Sequence, residues 1–300
     1  MTPSDPPIPV PPRRAPAPLQ PGDPSTLGPY RVVGRLGQGG MGTVYLAVSP
    51  AGGHVAIKVI RADHLRDPRA RARFHREVDA ARRVARFCTA RVLDADLDGR
   101  PPFVVTEYIE GPNLQEVVEG RGPLGSSGLD TLAVGVLTAL AAIHAAGVVH
   151  RDLKPANVLL SDFGPRVIDF GIAGALDFTS GLTGVGQFLG TPAYMAPEQV
   201  DGLPITPAVD VFAWGCLVTY AARGRPPFDG TNLVRLAYQI VHTQPDLNGV
   251  DDDLRPLVER ALAKAPGERP SARELLHTLL RDPGEAEDLV AASDAVVSRT

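Results

Sequence analysis

The sequence predicts an α+β protein of two lobes, a small strand-rich one with a single prominent helix and a larger, mostly helical one. Three observations predict it. Short β-branched runs separated by glycine-rich breaks fill the first third of the chain. Asp67-Pro68, an N-cap followed by a first-turn proline, starts one helix among them. Beyond Glu110-Gly111-Pro112 the apolar runs lengthen to helical size, as in TLAVGVLTALAAI (131–143) and VFAWGCLVTYAA (211–222).

Taken in order, ten of the first 24 residues are proline, so 1–26 is expected to be an extended, disordered tail, since such a segment cannot build a helix or a central strand. YRVVGRLG, GTVYLAVSP and HVAIKVI then read as three antiparallel strands. The helix after Asp67 has an apolar stripe of Phe74, Val78, Ala81 and Ala85. It also carries seven arginines between Arg69 and Arg86, which suit a solvated face or a phosphate contact. Further strands run to FVVTEYI (103–109). After Arg281 the chain is short, acidic and weakly patterned, an expected tail over 282–300.

Composition narrows the function classes. Across 300 residues, 44% are hydrophobic, enough for a substantial core, and the formal charge of −4 gives no reason to expect a nucleic-acid partner. Cys88 and Cys216 lie far apart with no metal-ligand spacing, which suits reduced structural thiols. No apolar run reaches the ~18–20 residues that span a bilayer, and the N-terminus lacks the pattern of a secretory signal. A cytoplasmic protein without a membrane span is therefore expected.

GQGGMG sets Gly37, Gly39 and Gly42 in a G-x-G-x-x-G spacing. Dinucleotide-binding folds share it, but there it opens a helix. Here another strand, TVYLAV, follows, so a strand–loop–strand hairpin closing over a nucleotide's phosphates fits better. Lys58 in VAIKVI can lie on a solvated face. It can also pair with Glu77, which borders the inward stripe of the helix, and so be held for those phosphates. HRDLKPANVLL (150–160) is more specific, setting Asp152, Lys154 and Asn157 between an apolar helix and an apolar strand. A carboxylate can accept a hydroxyl proton, a lysine can neutralise phosphate charge and an asparagine can ligate magnesium.

With DFG, GTPAYMAPE (190–198), DVFAWG (210–215) and ERP (268–270) following in order, the chain resembles a eukaryotic-like bacterial serine/threonine protein kinase from about Tyr30 to about Arg281. The resemblance implies a bilobal kinase domain over 30–281, with an N-lobe at 30–107, a hinge at 107–112 and a C-lobe at 113–281. It implies ATP and magnesium, with manganese as an alternative ion, and protein substrates. It also implies that two kinase domains can pair for trans-autophosphorylation.

By the same resemblance, the ATP site would comprise Leu36, Gly37, Gln38, Gly39, Gly40, Met41, Gly42, Thr43 and Val44, with Ala56, Lys58, gatekeeper Thr106 and Glu107 at the hinge. Lys58 would pair with Glu77. Asp152 would accept the proton, Lys154 would stabilise the transferring phosphoryl group, and Asn157 with one DFG aspartate would bind the metal. Glu198 and Arg269 would form an ion pair, Asp210 would support the catalytic loop, and Arg151 would hold a phosphorylated activation loop, with Thr183 the principal autophosphorylation site. Lys154 with Thr191 is the serine/threonine pattern. A silent scaffold would be expected to lose Lys58, Asp152 or Asp169. A small-molecule phosphotransferase would lack the APE segment and Arg269.

The triplet Asp-Phe-Gly occurs twice, at 162–164 and 169–171. Two oxygens on one magnesium ion lie within about 4 Å of each other. Asp162, five residues beyond Asn157 along a strand rising ~3.3 Å per residue, would be about 16 Å away and cannot reach the same ion. If DFGP is a turn, the chain returns antiparallel and Asp169 comes back beside Asn157, so Asp169 is the expected ligand.

Overall fold

β-Branched runs and glycine breaks build a six-stranded antiparallel sheet from β1 (Thr26–Leu27), β2 (Tyr30–Gly39), β3 (Gly42–Val48), β4 (His54–Ile60), β5 (Val92–Asp96) and β6 (Phe103–Glu107), in the order β1-β2-β3-β4-β6-β5. This computed structural model describes residues 16–40, 42–84, 88–170, 192–230 and 232–280. The first 15 residues of the expected tail, Ala85, the 282–300 tail and the segment with Thr183 and Thr191 lie outside them, as does Met41.

Register divides the sheet into two faces. Opposed pairs Val44–Lys58, Leu46–Ala56, Ala56–Thr106 and Lys58–Val104 share one face. Because side chains alternate, Tyr45, Ala47, Val55, Ile57, Phe103 and Val105 take the other and form their own buried cluster with Leu27, Tyr30 and Val32. The Lys58 face is therefore the one turned away from that outer cluster.

Helix α1 (Pro68–Ala81) starts as expected: the Asp67 side chain accepts from the N–H groups of Arg69 and Ala70, and Pro68 fills the first turn. Ala70, Phe74, Val78 and Ala81 are its buried stripe, while Arg69, Arg71 and Arg76 are exposed, which favours the solvated-face reading of its arginines.

The larger lobe holds α2 (Leu114–Arg121), α3 (Ser126–Ala145), the hairpin of β7 (Val158–Ser161) and β8 (Gly164–Val167), then α4 (Pro197–Val200), α5 (Ala208–Arg223), α6 (Leu233–His242), α7 (Arg255–Ala261) and α8 (Ala272–Leu279). Contrary to the expectation that no run is long enough, the 20 residues of α3 are by length and composition alone enough to cross a membrane. Here Leu132, Ala133, Val136, Leu137 and Leu140 are buried in the core it shares with α5, in keeping with the sequence expectation of a buried helix. The indole N–H of Trp214 on α5 donates to the Ala133 carbonyl at 3.2 Å, fixing the pair.

One boundary needs correction. Residues 16–26, assigned to the disordered tail, are anchored to the sheet at a few points, with 16, 23 and 24 half-buried and the others exposed. Ala17 exchanges two backbone hydrogen bonds with Arg35, at 2.9 and 2.8 Å, and β1 pairs with β2. Proline spacing marks neither these backbone bonds nor Asp23, which accepts from the Gln20 N–H at 2.7 Å and the Tyr45 hydroxyl at 2.7 Å.

Candidate active site

The expected catalytic loop is fixed by one carboxylate. Asp210, 1% exposed, accepts from the His150 and Arg151 N–H groups, each at 2.8 Å, and contacts His144 Nε2 at 2.8 Å. These bonds hold Arg151 at φ 68°, a left-handed conformation that a bulky residue keeps only when its surroundings over-determine it. His150 has a part that the motif alone does not reveal. Its Nδ1 accepts from the Asp152 N–H at 3.4 Å, which leaves Nε2–H to donate to the Ile168 carbonyl at 3.1 Å. The buried ring thus ties the loop to the strand end before Asp169.

On the upper side of the loop, Lys154 Nζ lies 2.7 Å from Asp152 Oδ2. Asn157 Nδ2 donates to the Asp152 carbonyl at 2.8 Å and reaches Oδ2 at 3.3 Å. The proposed proton acceptor, the phosphate-neutralising lysine and the asparagine are one hydrogen-bonded group.

The hairpin returns the chain as expected. Val158, Leu159, Leu160 and Ser161 pair with Val167, Arg166, Pro165 and Gly164, and the Ile168 N–H donates to the Asn157 carbonyl at 3.0 Å. The turn is tighter than DFGP: only Asp162 and Phe163 lie between the strands, and Gly164 and Pro165 already belong to β8. Phe163 is 91% exposed, remote from any core. Asp169 lies just beyond β8 at φ 60°, a conformation that aspartate tolerates better than most residues.

The pairing expected between Lys58 and Glu77 is not the one formed. Lys58 Nζ donates to Asp169 Oδ2 at 3.0 Å, and Glu77 Oε1 accepts from Arg151 Nη1 at 2.9 Å. Each pair joins a residue of the small lobe to one of the larger lobe, and sequence spacing cannot select which anion each cation takes. Burial alone would push the Asp169 carboxyl up, but the Lys58 ammonium, with Lys154 nearby, holds it below the usual carboxylate range.

The residues expected to face a nucleotide are placed by the sheet. Gly39 pairs with Gly42 across the loop tip, and β3 follows directly, a hairpin rather than the strand–helix turn of a dinucleotide fold. Val44, Ala56 and Thr106 share the Lys58 face. Glu107 ends β6, with its carboxylate held 3.0 Å from Arg166 Nη2. Leu36 is half-exposed at the root of the loop. At the exit from the hinge, Gly111 has φ 141° and crosses the Leu160 carbonyl so closely that any Cβ would collide with it.

The site fits a magnesium nucleotide on two observations. A Cβ at Gly37 or Gly39 would meet nothing within 4 Å. The fold does not itself require glycine there, and the bare backbone leaves phosphates room to approach its N–H groups. Asn157 and Asp169 offer the oxygen donors magnesium takes, and Lys58 and Lys154 bring two ammonium groups.

Glu198 and Arg269 form a bidentate pair at 2.6 and 2.8 Å, both side chains essentially inaccessible. Gln199, unremarked in the sequence, donates to the Arg151 carbonyl at 3.2 Å and so links this segment to the catalytic loop.

A two-lobed sheet-and-helix fold with this loop, hairpin and buried pair defines a class, and the comparisons agree with it. Residues 30–280 match the protein kinase domain family, and the chain belongs to that family. It is 51% identical over 265 residues to the probable serine/threonine-protein kinase PkwA of Thermomonospora curvata, covering 88% of this chain and 36% of PkwA. Identity to the serine/threonine-protein kinase AfsK of Streptomyces coelicolor is 48% over 254 residues, 84% of this chain and 32% of AfsK. The chain thus spans about a third of the length of these curated relatives. Among solved structures, Rad53 1-466 in complex with AMP-PNP aligns with a TM-score of 0.71 at 25% identity, covering 83% of this chain and 64% of that one. The PknI kinase domain of Mycobacterium tuberculosis aligns with a TM-score of 0.67 at 28% identity, covering 85% of this chain and 96% of that one.

Proposed function

We propose that this domain transfers the γ-phosphoryl group of ATP to serine and threonine hydroxyls of proteins, as a cytoplasmic signalling kinase. The observation that carries this is the cluster of Asp152, Lys154 and Asn157 in mutual hydrogen bonding, with Lys58 joined to Asp169 at 3.0 Å. Further support comes from the serine/threonine kinases it resembles and from the AMP-PNP complex among its structural neighbours.

In the reaction, the acceptor hydroxyl oxygen bonds to phosphorus as the bond to the β-phosphate oxygen breaks. The Asp152 carboxylate takes the hydroxyl proton, and Lys154 supplies positive charge beside it. Asn157 and Asp169 would hold magnesium, which neutralises charge developing on the phosphate oxygens. Lys58 would turn from Asp169 to the α- and β-phosphates, with Val44, Ala56, Leu36 and Thr106 around the adenine.

Regulation would pass through Arg151. Its guanidinium holds Glu77, and a phosphothreonine at 183, carrying about two negative charges, would compete for it. Glu77 would then be released to Lys58. A second copy of the domain would deliver that phosphate in trans. Phosphopeptide mapping of active protein should find Thr183 modified; an unmodified Thr183 beside a saturated Ser180 would contradict this.

The overall assignment is tested with purified protein, Mg-ATP and a generic protein acceptor. Asp152→Asn should lower transfer by about 10²–10⁴-fold, the range of general-base catalysis. Undiminished transfer would overturn the assignment.

A further inference from the structure

We propose that residues 16–27 are a positioning strap for the glycine-rich loop and that Asp23 is its positioning residue. This rests on the nucleotide-site assignment above. The strand leading into the loop is paired irregularly. Its register with β3 slips between Val32 and Gly34 and again between Arg35 and Gly37. Gly34 and Arg35 are thus a two-residue stretch between two bulges, where the ladder is disrupted and the strand bends.

The strap covers this stretch. Ala17 closes a two-bond bridge on Arg35, and Pro16 lies against Gly34 so closely that a Cβ there would meet the Pro16 Cβ at 2.8 Å and the Ala17 oxygen at 3.2 Å. Asp23 then joins both strands of the hairpin. Oδ1 accepts from the Tyr45 hydroxyl at 2.7 Å, and Oδ2 lies 3.1 Å from Arg35 Nε. Arg35 and Tyr45 are themselves a cross-strand pair, the last before the second slip. One carboxylate, 7% exposed, therefore clasps the two strands where they enter the loop.

The clasp is on the face away from the nucleotide, since Tyr45 belongs to the outer cluster while Val44 shares the Lys58 face. Asp23 touches no substrate and can act only through the position of residues 37–44. A loop held in its binding geometry binds more tightly in proportion to the fraction of time it is held.

Two variants of the full chain test this by different routes. Asp23→Ala removes the clasp, and Gly34→Ala unseats Pro16 while leaving Asp23 in place. Each should speed amide hydrogen exchange at residues 37–44 and weaken Mg-ATP affinity by about five- to tenfold, the loss expected when the competent loop population falls by that factor. The melting temperature of the helical lobe should stay near wild type. Faster exchange with affinity kept within about twofold of wild type would overturn the inference, as would unchanged exchange. Wild-type protein that fails to bind Mg-ATP would instead sink the nucleotide-site assignment, and the inference with it.

Discussion

At Arg269 every donor of the guanidinium is used. Nε gives to the Ala263 carbonyl at 2.7 Å, and Nη1 and Nη2 give to Glu198 and to the carbonyls of Ala208 and Lys264 at 2.9 and 3.0 Å. The group also stacks 4.9 Å from the Phe212 ring centre. An ammonium cannot reproduce that fork, so Arg269→Lys is not a conservative change. Glu198→Ala leaves a charge buried among fixed carbonyls and should lower the unfolding free energy by about 3–5 kcal/mol in urea titrations, whereas a loss below about 1 kcal/mol would contradict this account of the pair. This partnership was legible in the sequence through its family motif. That of Lys58 was not, because spacing offers both Glu77 and Asp169 as partners and only three-dimensional placement shows that Arg151 takes the first. The bridging role of His150 was hidden too, since only the fold brings Asp152 and Ile168 to opposite sides of one buried ring.

Among the elements, the β7–β8 hairpin does most to set the site. Its return was legible because a strand rises by a fixed length per residue, so the first Asp-Phe-Gly could only turn the chain. Its docking was not. Pro165 sits in β8 against Gly135 of α3, where any Cβ would collide with the proline ring. Nothing in a helix written TLAVGVLTALAAI marks that glycine as a seat for a hairpin. Gly135→Ala should destabilise the domain by about 1–3 kcal/mol through overpacking, although alanine is the better helix former. A stabilised variant in thermal melts would show that the hairpin is not seated there. The strap over β2 was likewise illegible, because ten prolines in the opening segment point to an extended chain and do not say where it docks.

Over the whole molecule, the two lobes were legible as a change of period, from short alternating strands to long helical runs at Gly111. They are joined by more than the hinge. Val167 of β8 exchanges backbone hydrogen bonds with Cys88 and Ala90, at 2.9 and 3.1 Å, and Arg166 reaches the Thr89 carbonyl and Glu107. The chain between α1 and β5 is thereby tied to the hairpin that carries Asp169, so the proposed metal-binding segment and the sheet of the small lobe share one framework. The most direct measurement is phosphoryl transfer by Asp162→Asn and Asp169→Asn proteins, assayed side by side with Mg-ATP and a protein acceptor. Asp162 is in a solvent-facing turn and its variant should stay near wild type, while Asp169→Asn should lose nearly all transfer, as expected of a metal ligand in a site that works by positioning and charge. Equal loss in both variants, or an active Asp169→Asn protein, would contradict the assignment of the second triplet to the site.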